Sequence, residues 1–169
     1  MTRVAIQGAS GAFSHAAAIK ALGSDVEIME CRTSDALFDA VSDGIALYGV
    51  VPVENTLAGS VQRNMDLLFQ PEIHIVAEAR IRIRLCLAVR PGYSISQIRR
   101  VASHPVALQQ CQGFFSRNPL IEAVTAFDTA GSVRDLMAGD TDYDAAIGSE
   151  LAASLYGANV LEKNLEDHE

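Results

Sequence analysis

Val51-Pro52-Val53-Glu54-Asn55-Thr56-Leu57-Ala58-Gly59-Ser60-Val61 is the stretch on which the fold turns. An apolar run from Tyr48 to Val53 stops there at a cluster of small polar and hydroxyl residues. Beyond it, Val61, Met65, Leu68 and Phe69 recur at helical spacing. The pattern predicts a strand that delivers Glu54, Asn55 and Thr56 to the mouth of a turn, then a helix opening at Gly59 and Ser60. The unpaired N–H groups of that first helical turn would point at the same place, as they do where open α/β sheets hold small anions.

The alternation of strand and helix continues in both directions. Residues 3–8 read as a buried strand, 14–22 as an Ala-rich helix and 26–29 as a second strand. Ser34 is the expected cap of a helix through Val41, and Gly44 its end. After Pro71, residues 73–89 read as one long strand, because Ile81, Ile83, Leu85 and Leu87 alternate with Arg80, Arg82, Arg84 and Cys86. Pro91-Gly92 is a turn. Strands follow at 101–103, 122–127 and 145–147, with helices from Pro105, over 130–137 and over 150–156. Residues 160–165 form a last extended piece. Such alternation predicts an α/β fold with mostly parallel sheets. The long segment 73–89 reads as a crossover between two lobes, the first being residues 1–77 plus the returning tail 159–169 and the second residues 78–158. A cleft between two lobes is a favoured place for a small-molecule site.

The formal net charge of −8 argues against nucleic acid, which asks for basic patches. No apolar stretch reaches transmembrane length, since Arg80, Arg82 and Arg84 interrupt the longest candidate. The N-terminus carries no charged-then-apolar leader pattern, so cytoplasmic residence is the expectation. Cys31, Cys86 and Cys111 lie far apart among apolar residues and read as buried free thiols. His15, His74, His104 and His168 show no metal-ligand spacing, so no metal site is predicted.

Four strand-to-helix junctions share one chemistry of small residues, hydroxyls or amides and a helix start. They are Gly8-Ala9-Ser10-Gly11-Ala12-Phe13-Ser14, residues 54–60, Ser103-His104-Pro105 and Asp128-Thr129-Ala130-Gly131-Ser132. In a parallel sheet all of them lie at the carboxyl edge of the strands. Any one alone reads as a helix cap; four together favour a binding site. Gly8-Ala9-Ser10-Gly11 also imitates the start of a dinucleotide-binding fingerprint, with Glu30 where a ribose-binding acid would sit. Ser14 stands where the third glycine belongs, so a dinucleotide is not expected.

These blocks resemble prephenate dehydratases and their plant relatives, the arogenate dehydratases. The resemblance is carried by Gly8 to Ser14, by Pro52 to Val61 with Arg63-Asn64-Met65-Asp66-Leu67-Leu68, by Ser103 to Cys111, by Asp128 to Gly131 and by Ala145 to Ser149 with Ala152 and Tyr156-Gly157. It implies a two-lobed α/β fold similar to type II periplasmic binding proteins, with the site in the interlobe cleft. The implied reaction is the decarboxylative dehydration of prephenate to phenylpyruvate in phenylalanine synthesis, with no cofactor and no metal. The implied catalytic residues are Asn55, Thr56 and Thr129. Those implied to bind substrate are Ser14, Glu54, Gly59, Ser60, Ser103, His104, Gln110, Ala130 and Gly131. Partners are the small-molecule substrate and further copies of the chain in a homodimer or homotetramer, with no nucleic acid or membrane. Ala12 stands in place of a usual threonine, and Ser132 and Val133 in place of usual alanines. The family's Thr-Arg-Phe motif and ACT domain do not follow Glu166-Asp167-His168-Glu169. The expectations are therefore impaired activity, or a non-catalytic module that binds an aromatic acid, and no regulation by phenylalanine. Arogenate is the alternative substrate.

Overall fold

The computed structural model describes residues 1–57, 59–139 and 141–167. The chain divides into two compact units, Met1–Ile81 and Arg82–Glu169.

The first unit is built on β1 (Thr2–Gln7), α1 (Phe13–Leu22), β2 (Val26–Cys31), α2 (Ser34–Ser42) and β3 (Tyr48–Val50). Its three strands are parallel in the order β2-β1-β3. The central strand is buried on both faces, which is why Val4-Ala5-Ile6 is an unbroken apolar run. Alternate side chains serve opposite cores. Val4 and Ile6 pack with Ala18 of α1, and Ala5 packs with Leu37, Phe38 and Ala40 of α2. Thr33 rather than Ser34 caps α2, its Oγ1 accepting the Ala36 N–H at 3.2 Å. Ser34 is instead the first helical residue, and its hydroxyl donates to Gln7 Oε1.

The stretch after β3 departs from its sequence reading. The strand ends at Val50, and a two-residue hairpin follows, β4 (Glu54–Asn55) antiparallel to β5 (Gly59–Ser60). Gly59 and Ser60 are therefore strand residues, not the start of a helix. The next helix, α3 (Gln62–Leu67), begins two residues later behind Val61. Gly59 has φ +85°, a conformation open to glycine at little cost, and the hairpin uses it. Periodicity from Val61 onward could locate the helix but not the chain reversal ahead of it.

The second unit carries β6 (Cys86–Val89), β7 (Arg100–Ser103), α4 (Pro105–Gln109), α5 (Gln112–Arg117), β8 (Glu122–Thr125), α6 (Thr129–Ala138), β9 (Ala145–Gly148), α7 (Glu150–Tyr156) and β10 (Asn159–Lys163). The sheet order is β10-β6-β9-β7-β8. β7, β8 and β9 are mutually parallel, while β6 runs antiparallel to β9 and β10 antiparallel to β6. The long strand expected over 73–89 is a strand only at its end, because only residues 86–89 find ladder partners. The inward and outward alternation of 81–85 persists without them: Ile81 and Ile83 are half-buried, Arg82 and Arg84 exposed.

The tail assigned to the first lobe runs with the second unit instead. After β10, Leu165 donates its N–H to the Leu85 carbonyl, and the Glu166 carboxylate accepts the Leu85 N–H at 2.8 Å. Asp167 donates its N–H to the Gln110 carbonyl and accepts from the Gly113 N–H at 2.8 Å. Leu165 is buried, so an apolar anchor and four hydrogen bonds hold the tail there. His168 lies outside the described residues. Among the described residues no helix is long and apolar enough to cross a membrane.

Candidate active site

In the first unit two junctions leave the sheet from one edge on neighbouring strands, since Ile6 of β1 is paired with Val50 of β3. The loop after β1 is shaped by two glycines at positive φ, Gly8 at +98° and Gly11 at +90°. Its amides already have acceptors. Gly8 donates to the Cys31 carbonyl, Ser10 N–H to Glu30 Oε1 at 2.7 Å, and Gly11 N–H to His15 Nδ1 at 3.0 Å. Glu30 thus serves the loop rather than waiting for a ribose. His15 accepts through Nδ1, so this bond needs the imidazole without a proton there. Burial lowers its pKa from the ordinary value, and the Glu30 carboxylate opposes that shift. Ser14 is half-buried in the first turn of α1, whose Ala12 cap offers no side-chain acceptor.

The hairpin displays Glu54, Thr56, Gly59 and Ser60 as exposed residues and Asn55 half-buried between them. Asn55 Oδ1 accepts the Leu57 N–H at 2.9 Å. This local bond turns the carboxamide so that its oxygen faces the hairpin and its NH₂ lies on the other side.

In the second unit β7, β8 and β9 end together: Ser103 is paired with Thr125, and Ala102 with Ala146. The junctions at His104, at Asp128 to Gly131 and at Ser149 therefore share one edge. The last was not among the four expected. Ser149 is a buried cap whose Oγ accepts the Ala152 N–H at 2.9 Å. His104 caps α4, with Nδ1 accepting the Val106 N–H at 3.3 Å, which leaves Nε2 as its outward nitrogen. Asp128 caps α6 and takes both the Ala130 and Gly131 N–H groups on its carboxylate, at 3.3 and 3.2 Å. Those two amides, expected to grip a substrate anion, are thus occupied by a local acceptor. Ser103 is fully buried and its hydroxyl donates to the Ile147 carbonyl at 2.7 Å, so it ties β7 to β9. Gln110 is half-buried at the end of α4 and its carbonyl holds the tail. Thr129, half-buried, is the first residue of α6.

The structure thus gathers Ser14 and the hairpin residues at one sheet edge, and His104, Thr129, Ala130 and Gly131 at another. It withdraws the Ser103 hydroxyl into the sheet. His15 and Glu30 also hold the loop after β1, and Asn64 Nδ2 donates to the Pro52 carbonyl ahead of the hairpin, although their sequence context reads as helix, strand end and helix. His15 had a weak signal in its spacing of four from Gly11. The three thiols are buried, and burial pushes Cys86 and Cys111 up to about 12 and raises Cys31 as well, which disfavours the reactive thiolate. Among the described residues no three His, Cys, Asp or Glu side chains stand together to hold a metal ion.

The family model for prephenate dehydratase matches residues 4–169. The chain belongs to the prephenate dehydratase family. It is 41% identical over 166 residues to the arogenate dehydratase/prephenate dehydratase 2, chloroplastic, of Arabidopsis thaliana, a match covering 98% of this chain and 43% of that protein. The chain therefore spans less than half the length of this curated relative. The solved prephenate dehydratase of Arthrobacter aurescens, in complex with L-Phe, superposes with a TM-score of 0.90 at 30% identity, over 99% of this chain and 56% of that one. A solved structure described as GqqA, a novel type of quorum quenching acylase, gives a TM-score of 0.86 at 35% identity, over 98% of this chain and 60% of that one.

Proposed function

We propose that this chain is the part of a prephenate dehydratase that holds and turns over the substrate. Prephenate would lose carbon dioxide and its ring hydroxyl to give phenylpyruvate and water. The electron pair of the breaking carboxylate bond completes the aromatic ring, and the departing hydroxide takes up one proton. Aromatisation supplies the driving force, so the protein need only orient the substrate and assist the hydroxyl. The observation that carries this reading is the family block at the hairpin. Asn55 sits there with its carboxamide oriented by the Leu57 N–H, a neutral donor set in advance for a departing oxygen. Thr56 and Thr129 are the other hydroxyl donors of the reading, and the uncapped first turn of α1 at Ser14 suits a substrate carboxylate.

Glu54, Gly59, Ser60, His104, Gln110, Ala130 and Gly131 belong to the binding surface in this reading, the last two through contact rather than through their capped amides. Ser103 acts by holding β7 in place. Arogenate is the second substrate to consider, because the Arabidopsis relative is named for both activities. Three buried free thiols suit a reducing compartment such as the cytoplasm. Exposed Phe69, Ile75 and Val76 support self-association as a homodimer or homotetramer.

The test is to incubate the chain with prephenate and, separately, with arogenate, following phenylpyruvate and phenylalanine. Asn55→Ala should lower kcat by about 10²-fold, the usual cost of one such donor, with an unchanged melting temperature. Neither product from the unmodified chain, together with no calorimetric binding of either acid, would refute the proposal.

A further inference from the structure

Asn64 is a costly residue where it stands. It lies in α3 with no exposed surface, in a helix for which asparagine is a poor former. Its Oδ1 is buried with no hydrogen-bond partner. Leaving such an acceptor unmade costs about 1–3 kcal/mol, whereas a leucine of similar size would leave none. Packing alone does not explain an amide here.

The other half of the side chain has a defined task. Asn64 Nδ2 donates to the Pro52 carbonyl at 2.8 Å. One residue on, the Val53 carbonyl accepts the Val61 N–H at 2.9 Å. Two successive carbonyls of the arm entering β4 are thus held by the start of α3. The arm needs this, because among the described residues β4 pairs with β5 alone, Glu54 with Ser60 and Asn55 with Gly59. A ladder of two residue pairs is marginal by itself. The first residues beyond the two anchored carbonyls are Glu54 and Asn55. One backbone bond and one side-chain bond from α3 and its cap thus hold the two residues that lead into Glu54 and Asn55.

We infer that Asn64 is a positioning residue for the Asn55 arm. It trades an unpartnered oxygen for a donor that no aliphatic side chain could supply, and so pins the Pro52 peptide and sets where Asn55 is presented. The anchor is a statement about the fold; its consequence for turnover rests on the prephenate dehydratase reading above.

The test replaces Asn64 with leucine in the whole chain, with Asn64→Ala as the smaller variant should leucine not fold. Two readings are taken. Amide hydrogen exchange at Leu57 and Val61 reports the arm itself, and steady-state turnover reports its consequence. Asn64→Leu should melt at or above the unmodified chain, since the orphan oxygen is gone. Exchange at Leu57 and Val61 should nevertheless rise about tenfold or more, while distant β1 amides stay protected. kcat should fall by about 10–10²-fold with a smaller change in KM, the mark of a misplaced rather than missing contact. Unchanged exchange at both amides would overturn the inference whatever the kinetics. A fall in activity matched by an equal loss of folded protein would overturn it too. Faster exchange in a chain whose parent turns over neither prephenate nor arogenate would support the anchor while refuting the reaction assigned to the arm.

Discussion

Gly148 ends β9 directly beneath the first turns of α6, and replacing it with alanine should show how tightly that junction is built. A Cβ added at Gly148 would lie 2.6 Å from Val133 Cγ2 and 3.5 Å from the Thr129 carbonyl oxygen. Ordinary carbon contacts sit near about 3.5–4.0 Å, so the helix or strand must yield by roughly 1 Å. Val133 is fully buried and β-branched, and in a helix it has one strongly preferred rotamer, so it cannot simply swing aside. Overpacking of this kind costs about 1–3 kcal/mol. Val133→Ala alone removes two buried methyl groups, worth about 0.8 kcal/mol each in transfer plus a cavity term, about 2 kcal/mol in all. In the double variant the new methyl occupies part of the space vacated. The combined cost should then stay near about 2 kcal/mol rather than reach the additive sum of about 4, a coupling of about −2 kcal/mol. Urea unfolding measures all three. With a slope of about 2 kcal/mol per molar, Gly148→Ala should lower the midpoint by about 1 M, and adding Val133→Ala should leave it there rather than lower it by about 1 M more. Because Thr129 begins the displaced turn, turnover should fall in the single variant and recover in the double. Strict additivity, or a Gly148→Ala protein with the parent midpoint, would refute the packing argument.

Ser103→Ala should destabilise the chain by about 1–3 kcal/mol, because the Ile147 carbonyl loses a donor in a buried sheet; a large loss of affinity at unchanged urea midpoint would instead return Ser103 to the substrate surface. His15 gives a pH dependence with a defined sign. Its folded pKa is lowered, so the neutral ring contributes stability that is fully present above about 6.5 and declines as pH falls from there through the depressed folded value. Thermal melts from pH 7.5 down to 5 should show a loss that His15→Gln attenuates, and equal slopes for both proteins would count against the Gly11–His15 bond as its source.

Sequence alone determined which segments are strands and helices across most of the chain, because burial imposes a period. Val4-Ala5-Ile6 of β1 must be apolar to be covered on both faces, and the small and hydroxyl residues from Asp128 to Ser132 mark where α6 opens. It also marked the strand-to-helix junctions proposed to carry chemistry, by their hydroxyls, glycines and amides at strand ends. What it could not determine was every choice made by a partner distant along the chain. Glu30 takes the Ser10 amide from twenty residues away, and Asp167 reaches Gly113 from fifty-four. β10 joins β6 rather than the first unit, and residues 74–85 find no ladder at all despite a strand-like alternation. The hairpin at Asn55 and the amide of Asn64 beneath it belong to the same class. A side-chain period is a local property readable from one segment, whereas a hydrogen bond needs two groups, and only the folded chain decides which second group arrives.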